Sequence, residues 1–515
     1  VKPEQKEFIA VLDFGSQYAQ LIARRVRENG VYSVIHPCTV SAAQLRQEGP
    51  AGLILSGGPA STLQEGSPRP DPGIFDLGIP VLGICYGLQV AALAFGGRVI
   101  HAPAREYGRT SLRVRDHADL FAGLGEDLTV WMSHGDRVEG LSGVESLATT
   151  ENCPVAAVRI PGAKFYGVQF HPEVTHTPEG SRILHNFLFR VCGCRGEWKM
   201  SSFIEASRKQ IAGATGGHGV LLGLSGGVDS TVAAVLLHSA VGDRLTCLFV
   251  DNGLLRKDEA PRVRELFTDH FKIPLVFVDA SDRFLDRLRD VSDPEEKRKI
   301  IGHEFIAVFE DAARDLEGVK FLAQGTLYPD VIESVSAHGG PTARIKSHHN
   351  VGGLPDVLNL DLVEPFRYLF KDEVRQIGRE LGVPHAFIRR HPFPGPGLGV
   401  RVLGPVSRPR LDLLREADAI LIEELEISGL YESVGQAFVV LLPVAAVGVM
   451  GDERSYENVA AVRVVDTRDF MTADWARLPH DFLGHVASRI INEVRGINRV
   501  VYDISSKPPA TIEWE

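Results

Sequence analysis

Six cysteines in 515 residues is a low density, and most fall far apart, at Cys38, Cys85, Cys153, Cys192, Cys194 and Cys247. That spacing builds no disulfide framework and reads as reduced, intracellular protein. Cys192 and Cys194 sit close together, but no second Cys or His pair lies nearby to complete a zinc-type spacing. Positive charge is also short: 55 Lys and Arg against 66 Asp and Glu give a net charge of −11. Nucleic-acid binders draw affinity from basic surface, so that class is set aside, while a local basic pocket for a small phosphorylated ligand stays open. Long apolar runs are missing too. The longest, Ala437–Met450, is too short to span a bilayer and contains Pro443. No basic-then-apolar pattern opens the chain. The expectation is a soluble, cytoplasmic protein with no membrane or nucleic-acid partner.

What is present is ordinary globular composition, 44% hydrophobic and 23% charged, at a length that accommodates two to four domains. Short apolar runs ending in Gly-rich turns recur, as at 8–12, 52–55 and 81–84, with helix-like stretches such as Ala19–Glu28 between them. That alternation predicts parallel sheets with crossover helices. One break is expected near Cys192–Lys199. A second is expected at His391–Gly397, where Pro and Gly are too dense for a helix or an inner strand. The fold class is therefore α/β: two doubly wound parallel-sheet domains (1–195 and 196–390) followed by a smaller α+β domain (391–515).

Ile79–Gln89 reads as a buried strand turning sharply into a helix, with Gly83 and Gly87 two residues either side of Cys85. This is the spacing of a nucleophile elbow, where small neighbours relieve a crowded backbone. A helix N-terminus favours negative charge on the sulfur. Strand-like Phe165–Phe170 ends in His171-Pro172-Glu173; His171 can take the thiol proton and Glu173 can fix its tautomer. After strand-like Leu53–Leu55, the Gly57-Gly58 turn can aim a backbone N–H at developing oxyanion charge, with the Tyr86 N–H as second donor.

Strand-like Val220–Leu224 leads into Ser225-Gly226-Gly227-Val228-Asp229-Ser230 and then an apolar helix from Thr231. Paired glycines let N–H groups approach phosphate oxygens at a helix N-terminus. The lysine of a nucleotide-kinase phosphate loop is absent. That absence suggests a pyrophosphate leaving group in place of γ-phosphoryl transfer, with Asp229 placed to hold Mg²⁺. The next strand ends at Asp251, where a doubly wound sheet would seat an adenosine.

Three of these motifs, 56–59, 83–89 and 167–173, resemble class I glutamine amidotransferases in that family's order. The resemblance implies that Cys85 attacks the glutamine amide with His171 and Glu173 as partners. It also implies that Gly58 and Tyr86 form the oxyanion hole and that Gln89 and His134 bind glutamine. The Ser225–Thr231 loop resembles the N-type ATP pyrophosphatases, which implies ATP contacts from Ser225, Gly226, Gly227, Val228, Asp229, Ser230, Thr231, Val250, Leu255 and Lys371, and Mg²⁺ on Asp229. Gly395–Leu398, Gly451–Tyr456 and Tyr502–Glu515 resemble the C-terminal domain of the GMP synthase family. Val447–Met450 and Ser407–Leu425 match that domain only loosely. The family resemblance implies glutamine, ATP and xanthosine monophosphate (XMP) as substrates and XMP contacts from Arg298, Gln436, Lys507 and Glu513. It further implies a homodimer through the C-terminal domain. Ser336–Leu354, rich in Gly and His, is expected to act as a lid, and the Pro508-Pro509 tail to be held extended over XMP.

Overall fold

A computed structural model describes residues 7–16, 18–59, 61–141, 143–336, 360–450, 453–467, 470 and 472–515. The expected lid, from residue 337 onward, lies outside the described residues, as do Gly451 and Asp452. The described chain divides into two compact units, the first ending at Ser202 and the second running Phe203–Glu515.

The first unit is built on a nine-stranded sheet. Its strands are β1 (Phe8–Asp13), β2 (Tyr32–Pro37), β3 (Gly52–Leu55), β4 (Val81–Ile84), β5 (Arg98–Val114), β6 (Asp127–Glu139), β7 (Glu145–Thr149), β8 (Ala157–Ile160) and β9 (Phe165–Val168). The order is β2-β1-β3-β4-β9-β8-β7-β5-β6. The first five are mutually parallel, and the last four extend the sheet through antiparallel pairs. β3, β4 and β9 are buried at every position, which is why they read as unbroken apolar runs. Helix α1 (Ala19–Glu28) follows β1, and α2 (Tyr86–Ala94) begins directly after β4. The strand order reverses between β1 and β3, and the turns after β1, β3 and β4 emerge at that switch point, where such sheets bind ligands.

The second unit carries two sheets. One is parallel: β10 (Gly219–Leu224), β11 (Leu245–Asp251), β12 (Leu275–Asp279), β13 (Val319–Ala323) and β14 (Asp361–Val363), in the order β12-β11-β10-β13-β14. Its switch point lies between β10 and β13. Helix α3 (Val228–Val241) leaves the β10 turn, followed by α4 (Pro294–Arg314) and α5 (Lys371–Glu380). α4 starts with Pro294 in its first turn and the Asp293 carboxylate accepting the Glu296 N–H. The other sheet joins β15 (Gln436–Met450), β16 (Glu453–Asp466), β17 (Asp474–Trp475) and β18 (Ile497–Tyr502), with α6 (Arg408–Ile427) and α7 (His480–Glu493) beside it.

One apolar cluster runs across the Pro/Gly-rich segment at 391–397. Leu398 and Val402 pack in one cluster with Val250 and Leu254 from the parallel-sheet side and Leu411, Leu441 and Val462 from the other. The tail also departs from the extended path expected of it. Ala510 N–H donates to the Ser506 carbonyl at 3.1 Å, closing a turn around Pro508 and Pro509.

Candidate active sites

Cys85 sits where the chain is most constrained. Its φ is +50° and ψ −101°, between β4 and α2, a conformation that non-glycine residues adopt only when their surroundings enforce it. The surroundings do so. A Cβ on Gly83 would lie 2.7 Å from the Gly87 carbonyl carbon, and one on Gly87 would collide with the Leu55 carbonyl. Cys85 N–H donates to Val168 O at 2.8 Å, tying the elbow to β9. β9 in turn delivers Gln169 and His171. Gln169 Nε2 lies 3.5 Å from Cys85 Sγ, and the same sulfur acts electrostatically on the His171 ring. His171 Nδ1 lies 2.7 Å from Glu173 Oε1, and Glu173 is fully buried. Burial alone drives the imidazole towards neutrality. The Glu173 carboxylate and the Cys85 sulfur overcome that and hold it well above the usual imidazole range.

The other first-unit residues gather round this dyad. A Cβ on Gly58 would stand 3.2 Å from both Tyr86 Cγ and Phe14 O, and one on Gly57 would stand 3.1 Å from His171 Cε1. The β3 turn is therefore pressed against the elbow, with no room for side chains. Gln89 Nε2 donates to Asp136 O at 3.3 Å. His134 turns back into the protein, its Nδ1 donating to the same carbonyl at 3.0 Å.

In the second unit the β10 turn is laced by its own hydroxyls. Ser225 Oγ and Ser230 Oγ are 3.1 Å apart, and Thr231 Oγ1 donates to Gly227 O at 2.8 Å. Gly226 has φ +73°, and its carbonyl accepts from Arg390 Nη1 at 2.6 Å. Lys371, first residue of α5, lies 3.2 Å from Asp229 Oδ2 through its Nζ. The other oxygen, Asp229 Oδ1, is buried without a hydrogen-bond partner among the described residues. An orphaned carboxylate oxygen beside a lysine at a helix N-terminus suits Mg²⁺ carrying an anionic ligand. Val250 is buried at the end of β11, and the Leu255 carbonyl accepts from Arg415 Nε at 3.0 Å.

Comparisons with known proteins cover both units. A class-I glutamine amidotransferase model matches residues 10–191, an NAD synthase model residues 200–280, and a GMP synthase C-terminal-domain model residues 423–514. A glutamine-hydrolyzing GMP synthase of Symbiobacterium thermophilum is 57% identical over 515 residues, spanning 99% of this chain and all of that protein. The proteins of the same name from Brachyspira hyodysenteriae (55%) and Thiobacillus denitrificans (56%) match over 98% of this chain and 99% of their own. The chain belongs to the glutamine-hydrolysing GMP synthase family. Seen as a family member, it has four residues expected to hold XMP, and the structure engages each of them with protein. Arg298 Nη2 donates to a main-chain oxygen of Glu515, and Gln436 Nε2 donates to Glu513 Oε1 at 3.0 Å. Glu513 also pairs through both oxygens with Arg401, at 2.8 and 3.1 Å. Lys507 Nζ donates to Phe470 O at 2.7 Å.

Several residues at these sites gave no signal in the sequence. Gln169 hides inside a strand motif, and Arg390 sits 164 positions from the carbonyl it holds. Lys297 on α4 is fully buried with its Nζ 2.5 Å from Glu515 Oε2, and Arg401, also fully buried, lies over the Phe438 ring at 4.0 Å. Only the fold brings these partners together.

Proposed function

We propose that the chain makes GMP in two coupled reactions. In the first, His171 takes the Cys85 thiol proton as sulfur attacks the amide carbon of glutamine. The Gly58 and Tyr86 N–H groups face the oxyanion. His171 returns the proton to the departing nitrogen, ammonia leaves, and a Cys85 thioester remains. Water, deprotonated by His171, cleaves it to glutamate. Glu173 keeps the ring in the working tautomer. Gln89 and the strand around His134 border the glutamine side chain. The observation that carries this reading is the enforced φ of +50° at Cys85 facing a carboxylate-oriented His171.

In the second reaction the C2 oxygen of XMP attacks the α-phosphorus of ATP, releasing pyrophosphate, and ammonia then displaces AMP to give GMP. A purinone oxygen leaves poorly, whereas an adenylate leaves readily. The Ser225–Thr231 turn receives the phosphates on its backbone N–H groups, with Val250 and Leu255 beside the nucleoside and Lys371 beside the phosphates. Asp229 would hold Mg²⁺, which would supply charge neutralisation at the phosphates. Arg298, Gln436, Lys507 and Glu513 take XMP. A homodimer through the C-terminal part is supported by exposed Val444, Val447 and Val449 on edge strand β15 and Tyr456 on β16.

One assay separates the two sites: GMP, AMP and pyrophosphate measured with glutamine or ammonium as nitrogen source. Cys85→Ala should lose only the glutamine-dependent reaction, while Asp229→Ala should lose both. A folded Cys85→Ala protein inactive with ammonium, or ADP as the stoichiometric product, contradicts the reading.

A further inference from the structure

Beside the thiol site, the first unit holds a second set of buried donor atoms. Glu106 on β5 and His134 on β6 are direct cross-strand partners, just past a register irregularity between His101 and Glu106. Cys153 comes from the turn after β7. There the Thr150 N–H donates to the Cys153 carbonyl, and the Cys153 N–H donates to Thr150 Oγ1, both at 2.9 Å. The carboxylate, imidazole and thiol each present one atom, and these three lie within 4.8 Å of one another. Glu106 and His134 are 5% exposed and Cys153 1%.

The proton count decides what these atoms face. His134 Nδ1 points at the Asp136 carbonyl, which only accepts, so Nδ1 carries the proton. In the neutral ring Nε2 is then a bare lone pair, and it lies 3.2 Å from Glu106 Oε2. Both atoms are buried and neither has a hydrogen-bond partner among the described residues. Burial, the largest influence, holds the ring below the usual imidazole range. Two acceptors facing each other in a dry site repel unless something positive lies between them. The outer contacts are those that orient metal ligands. The other ring nitrogen donates to a backbone carbonyl, and Glu106 Oε1 accepts from Thr150 Oγ1 at 2.7 Å. A mixed nitrogen, oxygen and sulfur set selects a borderline-soft divalent ion, and three protein ligands leave one position open.

We propose that Glu106 Oε2, His134 Nε2 and Cys153 Sγ form a binding site for a divalent cation of the Zn²⁺ class, distinct from the Mg²⁺ position at Asp229. Binding exchanges the thiol proton for the metal: the S–H bond breaks, an S–metal bond forms, and one proton goes to solvent. Burial, with Glu106 adding to it, pushes the Cys153 thiol up to about 11. The site adjoins the glutaminase centre, because the carbonyl of Ser133, next to His134, lies 3.9 Å from Cys85 Sγ. Occupancy would fix the strand against which the nucleophile rests.

The test uses Co²⁺ as probe and Zn²⁺ as competitor on the full chain carrying Cys85→Ser, so that the nucleophile cannot supply the thiolate. One equivalent of Co²⁺ should bind with a thiolate-to-cobalt absorption band, displaced by one equivalent of Zn²⁺. Adding Cys153→Ala should abolish that band, and adding Glu106→Gln should weaken binding at least about tenfold. Circular dichroism and thermal unfolding report whether each variant folds, and Cys153→Ala alone decides if Glu106→Gln does not. An undiminished thiolate band in folded Cys153→Ala protein, or no stoichiometric binding by the folded Cys85→Ser chain, overturns the assignment.

Discussion

Replacing Glu515 by Gln should cost the second unit about 3 kcal/mol, and removing the charge on its partner as well should return most of that. Lys297 is fully buried, with Nζ 2.5 Å from Glu515 Oε2 and 2.8 Å from the Val402 carbonyl. Burial pulls this lysine below its usual range, against the upward pull of Glu515. An amide keeps the shape of the glutamate but leaves the ammonium without its counter-charge. Stranding one member of a buried pair costs roughly 3–5 kcal/mol. The surviving bond to Val402 places this case at the lower end. That is on the order of a hundredfold in the folding equilibrium, and about 1 M in urea midpoint if the slope is near 3 kcal/mol per M. Lys297→Met combined with Glu515→Gln should unfold within about 1 kcal/mol of the parent, because no unpaired charge is then left buried. Equilibrium urea unfolding with fluorine-labelled tryptophan provides the assay, since Trp475 and Trp514 both belong to this unit. Glu515→Gln within about 0.5 kcal/mol of the parent, or a double variant no more stable than it, would refute the reasoning.

Two further outcomes follow from the thiol site. Glu173→Gln should lower the His171 pKa, since only the Cys85 sulfur then opposes burial, and should reduce glutamine kcat/KM on the order of 10³-fold. With the folded pKa raised, the parent's imidazole contributes stability that is complete below the unfolded value near 6.5 and is lost as pH rises through the folded value. The variant should show less of that alkaline loss, and an unchanged His171 NMR titration would contradict the account. Gly87→Ala should destabilise the first unit by about 3 kcal/mol or more, because the new methyl falls on the Leu55 carbonyl. Glutaminase activity should go with it, and a stable, fully active variant would show that the elbow tolerates a Cβ.

The elbow at Cys85 was legible in the sequence because its constraint is local: two glycines two residues away answer a crowding made by the adjacent turn and β3. The Ser225–Thr231 turn was legible for the same reason, since its hydroxyl contacts span five residues at most. The doubly wound sheets were legible because strands buried on both faces leave unbroken apolar runs. The four antiparallel strands added to the first sheet were not, since β5 and β6 alternate polar and apolar residues like many exposed hairpins. The tail network was equally hidden. Lys297 and Arg401 lie 218 and 112 positions from the glutamates they meet, and nothing in a lysine-arginine-lysine run on a charged helix shows which side chain turns inward.

That network also sorts the four residues read as XMP ligands. Arg298 donates to a main-chain oxygen of Glu515, whereas Lys507 donates to a neutral carbonyl, that of Phe470. An anionic phosphate would outbid a carbonyl there, because charge-assisted hydrogen bonds are roughly twice as strong as neutral ones. Glu513 stands differently. Its partner Arg401 is fully buried and lies over Phe438, so a ligand that drew the carboxylate away would strand a guanidinium in the core. Glu513 can therefore offer only its remaining lone pairs, as an acceptor held in place by Arg401 and Gln436 together. Fixed acceptors read N–H groups, and exchangeable cations take phosphate. The tail would thus meet the base of XMP through Glu513 and its phosphate through Lys507, with Arg401 holding the first of these contacts still while the second forms.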